Sequence, residues 1–158
     1  MAKKSGAAEK TPKWSQAPSD AKEVRIAADP ESTNRQTIAW QFHRRDMAHD
    51  RWGWAKLTDA EFHGLVSGQL ASLESMTWGE LARATGGRKK GNNHHAIPVE
   101  KCCDDAKKRL RDLRMDDVDE LFSLRLTGTW RLFGVRDGRV MRFLWSDPDH
   151  SVYEVKKN

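Results

Sequence analysis

The last third of the chain, where apolar and polar residues alternate between tight-turn signals, constrains the fold more than any other stretch. Runs at 121–126, 130–135, 140–145 and 151–155 read as strands, because side chains two apart share one face of a pleated strand. Asp137-Gly138 separates two of these runs with residue types that tolerate the positive φ of a primed hairpin turn. Asp147-Pro148 marks another break. Strands that follow one another so closely pair with their sequence neighbours, so this third is predicted to form an antiparallel meander.

Upstream the period changes. Order is predicted to begin at Gln36, with Ile38, Trp40 and Phe42 spaced as one face of a strand. Residues 46–50 read as a connection, and Trp52 and Trp54 as a second short alternating piece. Thr58-Asp59-Ala60-Glu61 has the form of a capping box, and Phe62, Leu65, Val66, Leu70, Leu73 and Met76 then recur at helical spacing. A second capping box, Thr77-Trp78-Gly79-Glu80, starts a short helix that Gly86-Gly87 should stop. The segment 88–95, ending in His94-His95, reads as a basic loop rich in Gly and Asn, and Pro98 precedes a third helix over 99–114. The expected fold class is therefore α+β: an N-terminal strand and two to three helices packed on a C-terminal antiparallel meander sheet.

Residues 1–35 keep neither period and carry Lys3, Lys4, Lys10 and Lys13, so they are expected to form a flexible basic arm ahead of a single domain over 36–158. That domain has seven Trp and five Phe in a chain of 158 residues, enough large apolar units for one core. No apolar run approaches the roughly 18–20 residues of a membrane span, and no signal-peptide core is present. Cys102 and Cys103 are adjacent and poorly placed to bridge each other, so a cytoplasmic address is expected. The net charge of +5 permits nucleic-acid contact as a secondary feature without requiring it.

The motifs for chemistry are sparse. His94-His95 and Cys102-Cys103 lack CxxC or HxxxH spacing, so no metal is expected. A GxSxG elbow, a GxxxxGK[ST] loop and HExxH are all missing, and no cofactor is expected. Two functional readings remain. Arg131, Arg142, His150 and Tyr153 lie on or beside consecutive strands, where a sheet could gather cations for a phosphate with an acid or base for RNA cleavage. Against this stands the plain reading of arginines on a solvated strand face and a histidine in a turn. Separately, Gln36-Thr37-Ile38-Ala39-Trp40 has the form of peptides that lie across the pocket of a bacterial sliding clamp, with Gln36, Ile38 and Trp40 as contacts. Gln69-Leu70-Ala71-Ser72-Leu73 matches that form in letters, yet it falls inside a predicted helix whose core stripe includes Leu70 and Leu73.

Residues 121–136 and 140–153, with Trp145-Ser146-Asp147-Pro148-Asp149-His150, resemble the sheet of RelE/ParE toxins. That resemblance puts Arg131, Arg142, His150 and Tyr153 where ribonucleases of the superfamily have functional residues, although another branch of it inhibits gyrase. The wider layout of Trp40-Gln41-Phe42, Trp52-Gly53-Trp54, Met76-Thr77-Trp78 and His94-His95-Ala96-Ile97-Pro98, together with that same Trp145 to His150 segment, is similar to the SocB-like toxins that inhibit DNA replication. This second resemblance implies a non-enzymatic toxin of a toxin–antitoxin system. Such a toxin occupies the DNA polymerase sliding clamp (beta subunit) and competes with polymerase. It is kept low by a SocA-like antitoxin that acts as an adaptor for the ClpXP protease. The alternative it implies is an mRNA endoribonuclease using Arg131, Arg142, His150 and Tyr153.

Overall fold

In a computed structural model, residues 33–84 and 93–153 are described. Residues 1–32 of the expected arm (1–35), residues 85–92, which include most of the expected basic loop (88–95), and the last residues, 154–158, lie outside them. The architecture is α+β, as the alternating and helical periods predict. Five strands, β1 (Ala39–Gln41), β2 (His94–Pro98), β3 (Glu120–Arg125), β4 (Arg131–Asp137) and β5 (Val140–Asp147), form one sheet in the order β1-β5-β4-β3-β2. Strands β2 to β5 are an antiparallel meander, and β1 joins β5 in parallel, so the sheet as a whole is mixed.

Both predicted capping boxes form. Thr58 Oγ1 accepts from the Glu61 N–H, and Thr77 Oγ1 accepts from the Glu80 N–H; each glutamate takes the threonine N–H in return. The first opens helix α1 (59–73), whose Phe62–Val66 turn is π-helical, and the second opens α2 (Trp78–Arg83). Helix α3 spans Asp104–Asp112, shorter than the expected 99–114. Residues Val99–Lys101 make a separate 3-10 turn, and extended backbone at Cys102 and Cys103 divides the two.

Three further expectations are corrected. Trp52 and Trp54 do not alternate along a strand; they flank Gly53 at a turn that leads into the 3-10 segment Trp54–Lys56. His94-His95 is not a loop but the start of β2, paired with Leu124 and Ser123. Ser151, Val152 and Tyr153 are not a strand, because the buried Asp147 carboxylate accepts the backbone N–H groups of Asp149, Ser151 and Val152 and folds the chain into a turn. A carboxylate that collects backbone donors in this way competes directly with sheet pairing.

Each face of the sheet buries a separate apolar cluster. Leu124, Leu132, Met141 and Phe143 pack with Ile38, Trp54 and Trp78 and with Val66 and Leu70 of α1. On the opposite face Leu121, Phe133 and Trp145 pack with Trp52, with Ala106 and Leu110 of α3, and with Val152. The register of β4 and β5 shifts at Phe133/Gly134, leaving Leu144 without a partner in the ladder. The Leu144 carbonyl instead accepts from the Asp46 N–H at 2.9 Å and the Trp54 indole at 3.1 Å. A one-residue bulge thereby anchors the loop between β1 and α1 to the centre of the sheet.

Candidate functional site

One end of the sheet gathers side chains that can carry positive charge. The antiparallel register aligns Arg125 of β3 with Arg131 of β4, and Arg131 with Asp147 of β5. Two residues inward, His95 stands opposite Ser123, and Ser123 opposite Phe133. Residues two apart share a face, so His95, Ser123, Arg125, Arg131 and Asp147 lie on the α3 side of the sheet. The turn after β5 brings His150 to the same end, with its backbone at φ 57° in the left-handed region. Few residues other than glycine and asparagine adopt that conformation freely, and the Asp147 bonds on either side hold it.

The two arginines are held by neutral acceptors. Arg125 donates to Asn93 Oδ1 and the Thr127 carbonyl, each at 2.9 Å, and Arg131 donates to the Thr127 and Trp130 carbonyls at 2.8 and 3.0 Å. Neither makes an ion pair among the described residues. The Asp147 carboxylate, aligned with Arg131, is occupied by N–H groups and by the Ser151 hydroxyl. Partial burial lowers the pKa of Arg131, and the Arg125 charge lowers it further. Burial likewise lowers the His150 pKa from its usual value, helped by the charge of Arg131 and opposed by Asp147. His150 is therefore neutral at pH 7 and able to accept a proton.

The remaining histidines have different duties. His94 is buried on the α1 side, where its Nδ1 accepts the Arg125 N–H at 3.1 Å; burial, followed by Arg131, pushes its pKa down to about 4. His49 Nδ1 accepts the N–H groups of Arg51 and Trp52, both at 3.2 Å. Among the described residues, the Nδ1 of His95 is buried without a hydrogen-bond partner, as is the Ser123 hydroxyl. No group of three or more His, Cys, Asp or Glu among the described residues could hold a metal ion.

Of the four residues expected at a ribonuclease site, Arg131 and His150 come together. Arg142 does not join them: it lies toward the opposite end of β5, aligned with Val135 and paired with Asp137. Tyr153 packs against the apolar cluster on the α3 side. Arg125 and His95 were not expected there; their signal was alternation, Arg125 following Leu121 and Ser123 at two-residue spacing. Arg142 instead lines a cleft of about 540 Å³ with Arg44, Arg114 and Arg136. In that cleft Asp117, Asp119 and Glu120 offset the cations, and Arg136 is stacked on Trp78 at 4.1 Å. With four arginines set against these three carboxylates, and Arg142 also paired to Asp137, the cleft has little unpaired positive charge.

The sliding-clamp candidates occupy the far edge of the sheet. Gln36 is exposed, Ile38 is 4% exposed in the core, and Trp40 is half-buried and stacked on Phe143 at 5.5 Å. The segment is held on both sides, by the Ala39 N–H to the Arg139 carbonyl and by the Ile38 N–H to the Met76 carbonyl. In the second match Gln69 is exposed, but Leu70 is buried beneath α1. The chain matches no family model, no curated protein and no solved structure. No helix among the described residues is long and apolar enough to cross a membrane.

Proposed function

We propose that the basic end of the sheet binds an RNA phosphodiester and that the chain acts as a RelE-type endoribonuclease toxin. The observation that carries this reading is the side-by-side placement of Arg125 and Arg131, with no carboxylate paired to either among the described residues, next to a His150 kept neutral. In-line cleavage of RNA needs those parts. His150 takes the proton of the 2′-hydroxyl, the 2′-oxygen bonds to phosphorus, and the arginines hold the charge that builds on the phosphoryl oxygens. The 5′-oxygen then leaves, and the product retains a 2′,3′-cyclic phosphate. A cognate antitoxin in this reading is an acidic partner that covers the same end. The test is incubation of the folded full chain with a ribo-oligonucleotide and its deoxy counterpart. Cyclic-phosphate products from the first alone support the reading, and an intact ribo-oligonucleotide removes it.

A second reading is replication block through the sliding clamp, with a SocA-like adaptor and ClpXP controlling the amount of toxin. It is favoured by one observation, the exposed Gln36 three residues ahead of the edge strand β1. It also has a structural cost, because Ile38 and Trp40 must leave the core to fill a partner's pocket. Capture of purified clamp by the wild type but not by Gln36→Ala supports this reading, and equal capture by both removes Gln36 from it.

A further inference from the structure

Six histidines are present, and the structure sorts them by what their rings are bonded to. His43 and His63 are exposed and stand outside the basic end, on the β1–α1 loop and on α1. His49 and His94 each use Nδ1 as an acceptor for backbone N–H groups, which fixes ring and tautomer for a structural purpose. His95 and His150 have no hydrogen bond to protein among the described residues, and both stand at the basic end. His95 reaches this place on β2, opposite Ser123, which is two residues inward of Arg125 on the same face of the sheet. It is close enough for its charge to act on His150.

We propose that His95 is the second proton carrier of this site, delivering a proton to the departing 5′-oxygen while His150 removes one from the 2′-hydroxyl. This rests on the ribonuclease reading and adds a residue to it. The step balances without metal or redox partner. The bond from 2′-oxygen to phosphorus forms, and the bond from phosphorus to 5′-oxygen breaks. His150 gains a proton and His95 loses one. A deoxy strand lacks the nucleophile, so the substrate class is RNA. Four groups from four places face His150 and set its titration: Arg131 on β4, Arg125 on β3, His95 on β2 and Asp147 at the end of β5. The Ser123 hydroxyl, buried and unpartnered opposite His95, is free to bond that ring once it has given up its proton.

The experiment uses the full chain and two probes, a cleavable ribo-oligonucleotide and a 2′-O-methyl version that binds without reacting. For His95→Gln the inference expects kcat to fall by about 10²–10⁴-fold, the usual worth of one acid or base. It also expects affinity for the 2′-O-methyl probe to change less than about threefold, and the alkaline limb of the pH profile to disappear. For His150→Gln the acidic limb disappears instead, and the double variant is no slower than the worse single one, since two groups serving one step are not additive. Cleavage by His95→Gln at the wild-type rate with both limbs intact overturns the inference and leaves the ribonuclease reading standing. A loss confined to probe affinity overturns it too. Wild-type protein that binds the probe but cuts no RNA overturns both. Thermal melting of each variant shows whether a loss of activity is a loss of fold.

Discussion

Asp46 and Arg109, from the loop after β1 and from α3, meet in a two-pronged ion pair with both N···O distances at 2.8 Å. The Trp145 indole donates to the same carboxylate at 3.1 Å and the Ala48 N–H at 3.1 Å, so one side chain ties loop, helix and central sheet together. Burial alone would raise the Asp46 pKa, yet the bonds from Arg109, Trp145 and Ala48 overcome it and hold the group at about 2. The Asp46 side chain is only 2% exposed, so water cannot take over these bonds.

Removing one partner should therefore cost more than a surface pair does. Asp46→Ala is expected to lower stability by about 1–3 kcal/mol, the usual cost of leaving a buried donor such as the Trp145 indole without its acceptor, since Arg109 is exposed enough to turn to water. Urea unfolding checks this. In the wild type the lowered pKa stabilises the fold above pH 3.8, and that part is lost as pH falls toward 2; at about 1.4 kcal/mol per unit it is roughly 2 kcal/mol.

His94 sets a different and earlier acid limit. It is buried neutral with a pKa near 4, against 6.5 in an unfolded chain. The unfolded state therefore binds more protons between these values, and stability should fall by about 3 kcal/mol as pH drops from 6.5 to 4. In His94→Gln, which retains an oxygen to accept the Arg125 N–H, that slope should be absent from the stability curve.

Gly134 marks the bulge between β4 and β5. A Cβ there would collide with the Arg142 backbone carbonyl, and two central strands cannot part to admit it. Gly134→Ala is expected to cost about 1–3 kcal/mol. Gly128→Ala is the control: open space surrounds that position, and the change in melting should be within about 0.5 kcal/mol.

The two ends of the candidate clamp motif, Gln36 ahead of β1 and Trp40 within it, should separate cleanly. Gln36→Ala removes an exposed side chain and should leave stability within about 0.5 kcal/mol of wild type. Trp40→Ala removes the ring stacked on Phe143 and should cost about 2–3 kcal/mol. Loss of clamp capture in Trp40→Ala alone would report damage to the fold, so Gln36 is the informative probe.

What the sequence revealed follows from the range of each interaction. The capping boxes at Thr58 and Thr77 and the hairpin at Asp137-Gly138 close within a few residues, and all three are legible. β2 is not, because His94-His95-Ala96 becomes a strand only through β3, which lies some 25 residues onward. The parallel pairing of β1 with β5 and the Asp46–Arg109 pair join still more distant segments and leave no local trace. The misread strand at 151–155 has a local cause, the Asp147 carboxylate, that alternation does not report. At the site, Arg131 and His150 were legible as polar residues beside apolar strands, whereas Arg142 shared that signal and stands elsewhere. Arg125 and His95 are revealed only by register across β2, β3 and β4.

The central claim, that Arg125 and Arg131 make the end of the sheet a phosphodiester site, is tested most directly by binding of a 2′-O-methyl RNA oligonucleotide across a salt series. For the wild type, log K should fall linearly with log salt, at about 0.7 per phosphate neutralised on a single strand. The folded double variant Arg125→Gln, Arg131→Gln should bind more weakly with a slope shallower by about 1–1.5. The same affinity and slope in both proteins would contradict the account.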